Sequence, residues 1–207
     1  NKFIFSKVKI ENMIMSSFPR VYKVVSIDRE KQKLSIVIEE RHAAYTWCGH
    51  EAPSYLNRFE RGECYFLDQE GFAFDNAPAF SEGVYLSIYG GMQLDKPIIG
   101  STIDLENNIE DVAGIIKVLE DNSLPVHSLV LKTDGQHQFL LDSFSVTGDY
   151  PKILWNEDIS LKDTLGKLGT ALSEDTFRQE WLGRSQDLLY IDTRFSNRVF
   201  YKFITEI

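Results

Sequence analysis

Two cysteines and one histidine come nearest to a reactive or metal-binding group in this chain. Cys48 and His50 are two positions apart, and Cys64 follows later in the sequence. Thiolate and imidazole ligands suit zinc, but a structural zinc site needs four ligands and usually contains a C-x₂₋₄-C pair, which this chain lacks. An even cysteine count also fits a single disulfide in a chain that works outside the cytosol. Two buried free thiols are the third alternative.

Sequence motifs of the common enzyme classes are absent. The chain contains no G-x-S-x-G, H-E-x-x-H, phosphate-binding lysine loop or G-x-G-x-x-G. Carboxylate pairs such as Glu39-Glu40 belong to charged runs that are typical of solvated surface. We therefore predict no catalytic residue, cofactor or metal, although a pocket of polar groups with shifted pKa values would restore the enzyme class. The histidines are scattered, at His42, His50, His127 and His137.

Two pairs of opposite charges lie near the predicted ends of strands. Glu40 and Arg41 close an early strand, and we interpret them as a surface ion pair or an interdomain clamp. Asp192 and Arg194 are two positions apart, which would put them on the same face of a late strand. We interpret this second pair as structural, holding the penultimate strand to its neighbours.

The composition is that of a packed, acidic protein. Of 207 residues, 43% are hydrophobic and 26% are charged, which excludes collagen-like, low-complexity and coiled-coil chains. With 22 Lys and Arg against 31 Asp and Glu, the formal charge of -9 disfavours nucleic acid and anionic lipid as partners. No stretch reaches the roughly 18 uninterrupted apolar residues of a membrane helix. The chain begins at Asn1 within a patterned segment, so we expect a fragment from which any anchor has been removed.

Hydrophobic patterning predicts an α+β fold that begins with a helix and a hairpin. Residues 6–18 carry apolar side chains near a helical period, with Ser6 as the N-cap. Two strands follow, Val21 to Ile27 and Lys33 to Glu39, joined by the charged loop Asp28 to Gln32.

The remainder of the chain reads as short strands with turn signals between them, interrupted by three helices. The turn Asp68-Gln69-Glu70-Gly71 ends in a glycine that can adopt a positive φ. Apolar spacing predicts helices at 108–120, 161–172 and 175–182, and Ser196-Asn197 suits a tight turn between the last two strands. The predicted strands are 64–67, 72–74, 84–89, 129–132, 138–141, 144–146, 188–195 and 198–204.

Three stretches together resemble the FtsQ/DivIB family of bacterial cell-division proteins. Residues 17–24, SFPRVYKV, followed by 34–44, LSIVIEERHAA, resemble the second half of a POTRA module, although the proline that usually follows the arginine is absent. Residues 64–74, CYFLDQEGFAF, resemble the hairpin that opens the family's β-domain. Residues 189–202, LYIDTRFSNRVFYK, resemble the strand pair that ends it, and this stretch is the most specific.

The resemblance implies two domains. Residues 1–42 would be the C-terminal half of a POTRA module, a helix plus a β-hairpin that has lost its packing partners. Residues 43–207 would be a mainly antiparallel β-domain with a few flanking helices. The implied exocytoplasmic setting favours the disulfide among the three alternatives for Cys48 and Cys64.

The resemblance also implies a non-enzymatic divisome scaffold that acts in septum formation. The whole protein would be a single-pass protein of the inner or plasma membrane, with this region on the exocytoplasmic side. Its partners would be FtsB/DivIC-like and FtsL-like coiled-coil membrane proteins, one of which adds a strand to the last β-strand, Arg198 to Phe203. The residues expected to bind the partner are Phe195, Ser196, Asn197, Arg198, Val199, Phe200, Tyr201 and Lys202.

Strand alternation divides the side chains of this last strand between two faces. Val199, Tyr201 and Phe203 should face the core, and Arg198, Phe200 and Lys202 should face away from it. A competing class is a POTRA-bearing secretion or outer-membrane assembly factor, which also binds by strand addition. An extracytoplasmic enzyme with an unrecognised motif is a third class.

Overall fold

The computed structural model describes residues 6–54, 57, 62–79, 83–93, 95–103, 109–143 and 148–204, and the fold is α+β, as the patterning predicts. The described residues form four α-helices, one short 3-10 helix (Ser185–Asp187) and eleven strands in two separate sheets. The helices are α1 (Lys7–Ser17), α2 (Ile109–Asp121), α3 (Leu161–Ser173) and α4 (Asp175–Arg184). The strands are β1 (Val21–Glu30), β2 (Lys33–Glu40), β3 (Tyr45–Trp47), β4 (Cys64–Leu67), β5 (Ala73–Ala77), β6 (Leu86–Gly90), β7 (Val126–Leu131), β8 (Gln136–Leu141), β9 (Lys152–Asn156), β10 (Leu188–Asp192) and β11 (Phe200–Phe203).

The first unit consists of α1 and the antiparallel hairpin of β1 and β2. Ser6 caps α1 as predicted, because its Oγ accepts a hydrogen bond from the Lys9 N–H (3.3 Å). The hairpin turn is tighter than predicted, since β1 continues to Glu30 and Lys31 takes a positive φ of 48°. Burial in this unit is low: α1 has no buried residue, and β1 and β2 bury only Val21 and Ile27. Its large exposed apolar side chains are Val8, Met13, Phe18, Tyr22, Val25, Leu34, Val37 and Ile38.

The second unit is built on a nine-stranded sheet with the order β11-β10-β9-β8-β7-β6-β3-β4-β5. Most neighbouring strands are antiparallel, and the parallel pairs are β3 with β6, β6 with β7, and β9 with β10. Parallel neighbours need a crossover between them. α2 connects β6 to β7, and α3 and α4 connect β9 to β10.

Helices α2, α3 and α4 cover one face of the large sheet and form the hydrophobic core with it. The predicted apolar stripes are confirmed, because Val112, Ile115 and Leu119 of α2 and Leu168 and Leu172 of α3 are buried. Side chains alternate between the two faces of the sheet along each strand. Those that do not point into the core lie on the opposite face, and none of the described helices packs there.

Several strand predictions differ from the structure. β3 and β9 were not predicted. β3 has only three residues, and the apolar residues of β9 are consecutive in the sequence, so neither segment shows the extended alternation of apolar and polar residues that indicates a strand. The last two strands are shorter than predicted: β10 ends at Asp192 and β11 begins at Phe200. The predicted strand at 144–146 lies outside the described residues.

Candidate functional site

The outer edge of β11 is the first candidate site. β11 pairs with β10, and the described residues place no strand on its other side. The Ile204 N–H donates to the Asp187 carbonyl (2.8 Å), so its N–H faces β10. Because backbone groups alternate along a strand, the N–H groups of Phe200 and Lys202 also face β10. The N–H and C=O of Tyr201 therefore face outward, as an added strand requires.

The side chains of β11 divide between the two sheet faces as predicted. Tyr201 packs edge-to-face on Phe177 of α4, with ring centroids 5.0 Å apart, and Phe203 is buried in the core. On the opposite face Phe200 is 45% exposed and Lys202 is exposed. The outer edge thus carries backbone groups available for pairing beside an exposed apolar side chain and a cation.

The loop between β10 and β11, residues 193–199, is longer than the predicted two-residue turn. Lys167 of α3 donates from Nζ to the carbonyl oxygens of Thr193 and Phe195, both at 2.8 Å. These hydrogen bonds hold the chain away from the ladder between β10 and β11. As a correction to the predicted strand, Arg198 and Val199 therefore precede β11 rather than lying within it.

An exposed aromatic pair lies beside the outer edge of β11. Phe195 and Phe200 pack edge-to-face with ring centroids 5.0 Å apart, and Phe195 is 47% exposed. Lys167 fixes the backbone that carries Phe195, and burial lowers the pKa of Lys167 while the nearby Asp163 opposes that shift. We call the outer backbone of β11 together with Phe195, Arg198, Phe200 and Lys202 the edge surface.

Asp192 and Arg194 form a two-pronged ion pair at the end of β10. Arg194 donates from Nε to Asp192 Oδ1 (2.8 Å) and from Nη2 to Oδ2 (2.6 Å), and its Nη1 donates to Gln136 Oε1 on β8 (2.9 Å). Burial alone would raise the pKa of Asp192, but hydrogen bonds from the side chain and backbone of Arg194 outweigh it and lower that pKa. Arg194 lies just after β10, so the two residues meet because the chain turns back and not because they share a strand.

A second ion pair joins the two units of the chain. The Arg41 guanidinium binds the carboxylate of Asp68 from Nη1 and donates from Nε to the Pro19 carbonyl (3.1 Å). It also lies over the ring of Phe72, 4.1 Å from the centroid. The side chains of Arg41 and Asp68 are only 14% and 5% exposed, so this contact is largely shielded from water.

The predicted pair Glu40 and Arg41 is thus split between two contacts. Glu40 accepts from Arg20 Nε (3.2 Å), and Arg20 also donates from Nη1 to Asp75 Oδ2 on β5 (2.7 Å). These groups are well exposed, so this contact is the weaker one.

Sequence reasoning missed Asp68 as the partner of Arg41. The Oδ1 atom of Asp68 accepts from the N–H groups of Glu70 (3.0 Å) and Phe72 (2.9 Å) and so closes the turn before β5. Gly71 has the positive φ predicted for this turn (76°). An aspartate that closes a turn with one carboxylate oxygen can still bind a cation with the other. The aspartate at the start of this predicted turn was therefore the feature of the sequence that could have indicated a partner for Arg41.

Cys48 and Cys64 are joined by a disulfide. Cys48 follows β3 and Cys64 begins β4, so the bond closes the connection between two neighbouring antiparallel strands. The described residues contain no group of three or more potential metal ligands.

A crevice of about 1270 Å³ extends from the carboxyl ends of β6 and β7 along β8 to the start of β9. His137 lies in its wall and is 3% exposed. The Lys132 N–H donates to His137 Nδ1 (3.1 Å), and the Nε2 atom lies 3.0 Å from Glu157 Oε1 without the alignment of a hydrogen bond. Burial lowers the pKa of His137 to about 4, although the charge of Asp134 opposes this.

This histidine has the shifted pKa of a functional group but lacks a nucleophile. Among the described residues, no hydroxyl or thiol is hydrogen-bonded to either ring nitrogen of His137. The Nε2 atom is enclosed and lies beside the Glu157 carboxylate, so the ring is a buried part of the wall and is not presented to the open space of the crevice. Sequence reasoning missed this site, because residues distant in the sequence meet there.

No helix among the described residues combines the length and the apolar character needed to cross a bilayer. A comparison of the sequence with models of protein families and with curated proteins found no match.

Proposed function

We propose that this chain is the exocytoplasmic scaffold region of an FtsQ/DivIB-type cell-division protein. In this role it is non-enzymatic and binds FtsB/DivIC-like and FtsL-like coiled-coil proteins during septum formation. The complete protein is anchored in the inner or plasma membrane by one helix. Residues 1–42 then correspond to the end of a POTRA module, and the helix followed by a hairpin is compatible with that assignment.

The edge surface is the observation that carries this proposal. Within the described chain, β11 has a partner strand on one side only. Native proteins normally either protect an unpaired strand edge against pairing with other chains or use it to bind a partner. The adjacent Phe195 and Phe200 give an added strand an apolar anchor.

The same surface suggests the character of the partner strand. Arg198 and Lys202 are exposed beside β11, so acidic side chains on the partner would favour the correct register. Backbone hydrogen bonds to Tyr201 would provide much of the affinity, and an apolar partner side chain would contact Phe200.

The test measures binding of the cognate partner's membrane-distal segment, which follows its coiled coil, to the purified chain. Tyr201→Pro removes the outward N–H, and Tyr201→Ala is its matched control for loss of the ring against Phe177. We expect Tyr201→Pro to abolish binding and Tyr201→Ala to weaken it much less. Equal binding by the two variants, both folded, would exclude strand addition at β11.

A side-chain substitution tests the apolar anchor separately. Phe200→Ala should weaken binding by about 1 to 3 kcal/mol if the ring is a hot spot. Leu182→Ala is the control, since Leu182 of α4 is 84% exposed and lies outside the edge surface. If both substitutions left the affinity unchanged, Phe200 would not belong to the interface.

A further inference from the structure

A small pocket of about 130 Å³ lies beside the disulfide between Cys48 and Cys64. Both cysteines line this pocket, and both are half-buried rather than enclosed. At about 30 Å³ for each water, the space corresponds to roughly four water molecules. The disulfide therefore borders a space that admits a small solute.

Two buried hydroxyls lie beside one of the two sulfur atoms. Thr46 Oγ1 is 3.8 Å and Ser87 Oγ is 3.9 Å from Cys48 Sγ, and the two residues are 4% and 9% exposed. The Cys48 N–H donates to the Ile88 carbonyl (3.0 Å), so the pairing of β3 with β6 fixes the position of Cys48. A hydroxyl can donate a hydrogen bond to a thiolate, and such a bond stabilises the charged form. Breaking the S–S bond at Cys48 would therefore give a stabilised thiolate.

The surroundings of Cys64 have the opposite effect on a thiolate. The Sγ atom of Cys64 lies 3.9 Å from the Gly62 carbonyl oxygen, which accepts hydrogen bonds and cannot donate one. The preceding residue, Glu63, is exposed and lines the same pocket. A nearby carboxylate disfavours a second negative charge. Cys64 is therefore the poorer leaving group of the two cysteines, and an incoming thiolate is expected to attack its sulfur.

We propose that this pocket is a modification site at which Cys64 forms a mixed disulfide with a small aminothiol. The thiolate of the aminothiol attacks Cys64 Sγ, and a new S–S bond forms as the bond to Cys48 breaks. The Cys48 sulfur leaves as a thiolate and takes up a proton from water. The sulfur of the aminothiol is oxidised and that of Cys48 is reduced, so the exchange needs no other oxidant or reductant.

The charge of the pocket selects the class of thiol. Glu63 is the only charged side chain among the described residues that line it. Its carboxylate attracts a thiol that carries an ammonium group and repels one that carries a carboxylate. β3 and β4 lie near one end of the large sheet and β11 lies at the other, so this site stands or falls independently of the proposed function.

The test follows exchange of the native chain with cysteamine. Samples are quenched with N-ethylmaleimide, which alkylates the released thiol, and the products are located by peptide mass spectrometry. We expect cysteamine on Cys64 and maleimide on Cys48, at a rate that is linear in thiolate and unaffected by urea below the unfolding transition. Cysteamine mainly on Cys48, or a rate limited by unfolding of the chain, would overturn the proposal.

A serine substitution tests the leaving group. Ser87→Ala removes one hydroxyl beside Cys48 Sγ and should slow the exchange about threefold. Ser35→Ala, at an exposed position of β2, should leave the rate unchanged. Equal rates in the two variants, both folded, would mean that Cys48 is not the stabilised leaving group.

A comparison of two thiols tests the role of Glu63. Cysteamine should react several-fold faster than 3-mercaptopropionate when each rate is divided by the thiolate concentration. Glu63→Gln should remove this preference, whereas Glu180→Gln, an equivalent change at an exposed position of α4, should retain it. Equal rates for the two thiolates with the unsubstituted chain would exclude an aminothiol site.

Discussion

The guanidinium of Arg41, at the end of the small unit, binds the carboxylate of Asp68 in the large unit. The same carboxylate closes its own turn through the N–H groups of Glu70 and Phe72. Arg41 and Asp68 thus link the small unit to a hydrogen-bonded turn of the large sheet.

Removing the contact between Arg41 and Asp68 should destabilise the folded chain. We expect Arg41→Ala to lower the free energy of unfolding by about 3 kcal/mol, because it leaves the largely buried Asp68 without its cation. The measurement is urea denaturation of the full chain. Lys23→Ala, which removes the exposed pair with Glu39, should leave the urea midpoint nearly unchanged. Similar small effects for both substitutions would mean that Arg41 is not a clamp.

The disulfide should stabilise the large sheet. Its closed loop spans a sequence separation of 16 residues, for which loss of chain entropy in the unfolded state corresponds to about 3 kcal/mol. We expect dithiothreitol to lower the urea midpoint of the native chain and to have no effect on the Cys48→Ala, Cys64→Ala double variant. Two titratable thiols in denatured, non-reduced protein from an oxidising compartment would contradict the pairing.

How much of this structure the sequence predicted depends on how local each feature is. The helices at α2 and α3 follow from apolar spacing, and the turn at Gly71 follows from its neighbours. Both signals lie within a few residues of the chain. The position of β3 between β6 and β4 depends on pairings between distant segments, which leave no local pattern.

The two candidate sites also differ in how far the sequence could predict them. The exposure of Phe200 and the burial of Phe203 follow from alternation along one strand, so the edge surface could be predicted. The crevice combines His137 of β8 with residues after β3, β6 and β7, so it becomes visible only once the strand order is known.

A third prediction concerns the ion pair after β10. Asp192→Ala should lower the free energy of unfolding by about 2 kcal/mol, because Arg194 loses both of its carboxylate hydrogen bonds and holds only Gln136. Partner binding should fall only in proportion to the folded fraction. Thermal denaturation and binding are measured on the same samples. Full stability together with lost binding would place Asp192 in the interface instead.

The fourth prediction follows from the burial of His137. Its pKa is lowered to about 4 in the folded chain, whereas an unfolded histidine has a pKa of about 6.5. Between these values the unfolded state binds a proton that the folded state does not, so stability falls as the pH drops through this window. Above pH 6.5 both states are neutral at this position, and the effect disappears.

The slope of stability against pH measures this effect directly. We expect His137 to contribute up to about 1.4 kcal/mol per pH unit between pH 6 and 4.5, equivalent to one proton. His137→Gln should remove that contribution, while His42→Gln, at an exposed position in the small unit, should retain it. The charges facing the ring are those of Glu157 and Asp134, so Glu157→Gln should lower the pKa of His137 further when it is followed by NMR. If His137→Gln left the slope of the native chain unchanged, the ring would not be held neutral by burial.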